Sequence, residues 1–245
     1  GPFSALYGNS SGGVIAIFTA PVRRAEWEAG VDLGSFGLRQ GRASVATPLS
    51  GGFDLRASVS AAQIDGFRPQ SSADKRQGNV RLGYTGERDT VTLVLNALDQ
   101  PALDPLGLSA AQFALGPEQV ASVAQQFRTR KTQEQTQLGL NWRHRFDEGA
   151  LRESSLSVYG GTRGVTQWLA IAPATQGAAR HGGGVVDFDR RFEGAEARLR
   201  WAFGAVDLTA GLAVDRQQDD RRGYENFTGT GATQVLGVVG RLRRD

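Results

Sequence analysis

The chain contains no cysteine and no methionine, only eight prolines in 245 residues, and no apolar run long enough to cross a bilayer as a helix. Without cysteine there is no disulfide framework, no thiolate metal site and no cysteine nucleophile, so stability must come from packing and hydrogen bonding. The missing methionine predicts a processed or excised piece. The opening Gly1-Pro2-Phe3 lacks a charged segment, an apolar core and a cleavage site, which places any targeting signal upstream. If the chain meets a membrane, strands must make the crossing. A strong excess of one charge is absent too: 28 basic residues face 25 acidic ones, a formal net of +3, scattered along the whole length. That balance provides no nucleic-acid footprint.

What is present is glycine, 33 residues of it, and a recurring alternation of apolar and polar positions. Phe53, Leu55, Ala57, Val59 and Ala61 alternate with Asp54, Arg56, Ser58, Ser60 and Ala62. The same period appears around Trp27 to Leu33, Ala43 to Val45, Val80 to Tyr84, Val91 to Ala97, Leu138 to Trp142, Leu156 to Val158, Ala195 to Trp201 and Val206 to Val214. With a last candidate at Leu236, Val238 and Leu242 the count reaches about ten strands, an all-β antiparallel chain. Tight connections at 50–52, 87–89, 147–149 and 204–205 alternate with long ones at 66–76, 99–131, 164–185 and 216–232. The turn at Ser35 to Gly37 is short where a long loop is due.

Short turns on one side and long loops on the other are the signature of an up-and-down barrel in a membrane. A soluble sandwich also alternates, so the placement of side chains has to decide. Arginines occupy many of the alternate polar positions, which suits a wet inner wall and would be costly on a lipid-facing one. Trp27, Phe53, Tyr84, Trp142, Phe146, Trp201 and Phe203 all lie on the apolar row near the short-turn ends, as an interfacial aromatic girdle would. Within the longest connection, Ser109 and Gln112 have capping-box spacing and start a helical stretch reaching Phe127, interrupted at Gly116-Pro117.

The first 22 residues break this rhythm. Gly1-Pro2, Leu6-Tyr7-Gly8 and Gly12-Gly13-Val14-Ile15 run into a continuous apolar strand ending at Thr19. This segment resembles the closing motif of the plug domain of TonB-dependent outer-membrane receptors. The resemblance implies that residues 1–22 are the end of a plug and its linker, and that residues 23–245 form the first part of a barrel of about 22 strands. It further implies a non-enzymatic importer without a cofactor, lodged in outer-membrane lipid. Such an importer is driven by the TonB complex through a contact upstream of this segment, and most often carries a ferric siderophore. Cargo in that family touches loop and plug apices, where Trp168, Arg180, His181, Arg221, Arg222 and Tyr224 would suit an anionic metal chelate. The alternatives are a passive porin-like channel, which would lack the plug motif, and a truncated remnant.

Other motifs point elsewhere. Gly8-Asn9-Ser10-Ser11-Gly12 has the spacing of a nucleophile elbow, and His181-Gly182-Gly183-Gly184 that of an oxyanion-hole loop. An elbow needs a strand before its serine and a helix after it, whereas Val14 to Thr19 reads as a strand, so a serine hydrolase is the remote alternative. His144 and His181 are the only histidines. His144, between Trp142 and Phe146, reads as an interfacial ring, and a lone loop histidine cannot complete a metal site. Asn9 and Asn226 stand in glycosylation sequons that chance explains.

Overall fold

The computed structural model describes residues 22–244; the Gly1 to Ile15 motif lies outside them. Nine long strands follow one another: β1 (Glu26–Leu33), β2 (Arg39–Pro48), β3 (Phe53–Ile64), β4 (Ala73–Thr85), β5 (Asp89–Leu103), β6 (Arg130–Arg145), β7 (Leu151–Trp168), β8 (Val185–Phe203) and β9 (Val206–Tyr224). Each pairs antiparallel with the next, and β12 (Leu242–Arg244) adds a short tenth strand beside the end of β9. A separate two-stranded ribbon joins β10 (Phe227–Thr228) to β11 (Val235–Leu236). Three short helices sit in the long connections: α1 (Ala110–Leu115), α2 (Ser122–Phe127) and α3 (Pro173–Gln176).

The register shows why the alternation matters. Thr47, Leu55, Leu82, Leu93, Leu140, Val158, Ala195 and Val214 are successive cross-strand partners from β2 to β9, all on one face. One residue along, Ala46, Arg56, Arg81, Val94, Gly139 and Tyr159 share the opposite face with Ser58, Asn79 and Asn96. Among the described residues no second layer packs on the apolar face: Val59 is 62% exposed and Leu212 72%. A bare apolar face this large calls for an apolar covering, and in a barrel wall lipid provides it. The apolar positions of β3, Phe53 to Ala61, and of β9, Val206 to Val214, each cover about nine residues, the length a tilted strand needs to cross the hydrocarbon layer. Register pairing carries Ala61 on to Arg76, Asp99, Glu134, Gly164, Asp189 and Asp220. The apolar band therefore runs obliquely to the pairing rows, as strands tilted in a barrel wall require.

The aromatic side chains close the band at the short-turn end. Phe53 and Tyr84 are direct partners with ring centroids 4.9 Å apart. His144 lies edge-on to Phe146 at 4.6 Å, and its Nδ1 and the Trp142 Nε1 both reach Asp89 Oδ1 at 2.9 Å. The turns there are tight as expected, at 49–52, 86–88, 146–150 and 204–205. Gly52 has φ +82°, and a Cβ on it would lie 2.5 Å from the Thr85 carbonyl, so only glycine fits that corner. The β1–β2 turn is also short, closed by the Gly34 N–H on the Leu38 carbonyl at 3.0 Å.

Three differences from the sequence expectation have physical causes. The strands run well into segments expected as loops: β7 reaches Trp168 and β9 reaches Tyr224. Above the lipid both faces of a barrel wall are wet, so Asp215 to Arg222 pairs with β8 without apolar alternation. The single last strand expected from Leu236, Val238 and Leu242 is instead two pieces, β11 and β12, because Gly237 takes φ +76° and turns the chain. Helix α3, begun by Pro173, was not expected. The helical stretch from Ser109 to Phe127 does form, broken at Gly116 and opened by the Ser109–Gln112 capping box.

Candidate lumenal site and loop cap

The polar face of β6 to β9 carries a patch built on glycines. Tyr159 is the cross-strand partner of Gly194, and with no Cβ beneath it the ring lies across the strand to hydrogen-bond Asp215 on β9. A Cβ on Gly194 would fall 2.5 Å from that ring, so the glycine and the tyrosine form one unit. Gly161 plays the same part for Phe192, whose ring would stand 2.8 Å from an added Cβ. Tyr159, Phe192, Arg163, Arg190, Gln135 and Gln217 line a cavity of about 430 Å³ on this face.

Glu193, Asp215 and Arg216 complete the lining, Arg216 standing 3.8 Å from Glu193, and the other two arginines differ. Arg190 is spent on Asp219, with Nε to Oδ1 at 2.8 Å and Nη2 to Oδ2 at 2.9 Å, and it lies over the Phe188 ring at 4.9 Å. Among the described residues the half-buried Arg163 bonds a neutral amide, Nη2 to Gln133 Oε1 at 3.3 Å, and its buried Nε has no partner. A guanidinium so placed can take an oxygen-bearing anion without first breaking an ion pair. The alternation placed arginines on this face but could not show which were already paired. Elsewhere on the same face several arginines are paired: Arg42 with Glu28 and Asp32, Arg200 with Asp207, and Arg81 with Asp54, both of these last being buried.

At the long-loop end the connections pack on one another. Arg68 donates to the Gln119 carbonyl at 2.7 Å and to the Pro105 carbonyl at 3.2 Å. Arg130 stacks on the Trp168 ring at 3.7 Å and reaches the Gly237 carbonyl at 3.4 Å. Arg243 donates to the Ala178 carbonyl at 2.7 Å and pairs with Glu225 at 3.5 Å.

The residues expected to touch cargo do not form one cluster. Trp168, Arg222 and Tyr224 take the register positions of the apolar face, above its lipid band, and Arg222 pairs with Asp220 at 2.7 Å. Arg221 points the other way, beside Phe188, and extends the polar-face patch. Arg180 is exposed and His181 half-buried in the connection 169–184, where His181 Nδ1 accepts from the Gly183 N–H at 3.0 Å. The glycines after His181 serve close packing: a Cβ on Gly183 would strike the Tyr224 carbonyl at 2.1 Å. Ser10 lies outside the described residues. Among those described, no three His, Asp or Glu side chains gather as a metal centre would need.

An antiparallel meander with a bare apolar band, an aromatic girdle and a charged opposite face is part of the wall of an outer-membrane type β-barrel. No protein-family model matches the chain. Solved structures do resemble it. The ferric citrate transporter FecA in its unliganded form superposes over 91% of this chain and 32% of its own, with a TM-score of 0.67 at 15% identity. The ferripyoverdine receptor of the outer membrane of Pseudomonas aeruginosa matches over 91% and 33%, with a TM-score of 0.65 at 12% identity. The copper transporter OprC matches over 84% and 30%, with a TM-score of 0.59 at 18% identity. The fold is thus that of the barrel wall of TonB-dependent siderophore and metal receptors, and the chain spans about a third of their length.

Proposed function

We propose that this chain is part of a TonB-dependent outer-membrane importer for an anionic metal chelate, a ferric siderophore foremost, and that it performs no covalent chemistry. The observation that carries the reading is the polar-face patch of β6 to β9, on a wall whose fold matches those receptors. Arg163 lines the same cavity as Tyr159 and Phe192, bonds a neutral amide and supplies a guanidinium for an anion. In this reading Arg221, Arg180 and His181 meet the cargo at the mouth and Arg163 below it. Trp168, Arg222 and Tyr224 stiffen the rim. Residues 1–22 close the plug, and the TonB contact lies upstream of it.

Uptake of radiolabelled ferric citrate and of a ferric catecholate by cells carrying the full-length protein tests this. Uptake is expected with TonB and is lost without it; uptake that persists without TonB would mean a passive channel. Arg163→Ala should raise the half-saturating concentration about tenfold, the value of one charge-assisted hydrogen bond, while Arg200→Ala should change it little.

A further inference from the structure

We infer that Asn226 ties the three longest connections, 104–129, 169–184 and 225–241, into a single body, so that they hold or loosen together. The inference is independent of what the barrel carries. Asn226 is fully buried, and all its polar groups but Oδ1 are engaged, by groups from 104–129, 169–184 and its own connection. Its N–H donates to Gln176 Oε1 at 2.8 Å, and its Nδ2 donates to the Leu169 carbonyl at 2.9 Å and, at 3.4 Å, to the Phe127 carbonyl. Its own carbonyl accepts from the Gly237 N–H at 3.0 Å, which turns 225–241 back over the site. One side chain therefore bridges α2, the start of the β7–β8 connection and the loop it belongs to.

The surroundings are shaped for this. Gln176 is fully buried too, and its Nε2 holds the Ile171 carbonyl within its own connection. A Cβ on Gly184 would sit 2.8 Å from Asn226 Cβ and 2.7 Å from Gln176 Nε2, so glycine is what lets the two amides approach. Ala124, Phe127 and Val185 bury their side chains in the same region. A buried amide whose donors satisfy carbonyls on separate segments couples those segments, because freeing one leaves polar groups of the others unpaired. The sequon at Asn226 is closed to modification in this fold, since its amide nitrogen is the bridge.

Hydrogen exchange on the full-length protein in lipid nanodiscs tests the coupling. Gln176→Ala is the decisive variant, because Gln176 bonds within 169–184 and to Asn226 but makes no hydrogen bond to 104–129. If the cap is one body, its exchange should rise about tenfold in all three connections, with β3 to β6 unchanged. Asn226→Ala should do the same. A rise confined to 169–184 in Gln176→Ala would overturn the inference, as would unchanged exchange in 104–129. If Asn226→Ala fails to insert, the Gln176→Ala result decides alone.

Discussion

In the wall, Leu138 and Leu212 are 49% and 72% exposed; in the cap, Ala124 and Phe127 are 0% and 5% exposed. The two regions obey the same preference for apolar burial in different solvents. In a barrel wall lipid takes the place of a protein partner for such side chains, and stability lies in the continuous ladder from β1 to β9. Water surrounds the cap, so it must make its own core, small as it is, and must pair the polar groups that this core shuts in. That is why the fully buried polar side chains Gln176, Asn226 and Thr129 belong to the loops of the barrel and not to its sheet.

The sharpest way to break this comparison is Phe127→Ala. It should cost the cap about 3–5 kcal/mol, read as faster proteolysis of the loops, while the thermal unfolding of the barrel stays put; a barrel that melts early would mean that cap and wall are one unit. Next in size is Leu95→Arg, facing lipid, which should lower stability in bilayers by about 2–4 kcal/mol near the midplane. Its neighbour Asn96→Arg, on the polar face, should cost far less in the same urea titration. Equal effects would reverse the facing. The smallest effect belongs to Tyr159→Phe, which removes one exposed hydrogen bond to Asp215 and should cost about 0.5–1.5 kcal/mol.

Much of the wall was legible beforehand because lipid enforces a strict two-residue period. Phe53 to Ala61 and Val206 to Val214 declared their strands, and Trp142 with Phe53 marked the girdle. Legibility stopped where lipid stops: Asp215 to Arg222 reads as a loop, yet it pairs residue for residue with Asp187 to Gly194. Trp168 and Tyr224 looked like loop residues for the same reason. Of the site, the arginine-rich face was visible and the freedom of Arg163 was not, since pairing depends on which carboxylates the register brings across. Nothing local marked Asn226, whose partners lie 50, 57 and 99 residues away.

The sequence by itself determined that this chain is a set of antiparallel strands with one lipid-seeking face, because a period of two needs no distant information to be expressed. Only the tertiary structure decided which arginines meet a carboxylate, which glycine seats Tyr159, and how Asn226 gathers three connections. Each of those depends on groups far apart in the chain, and the strand register together with loop packing sets their distances.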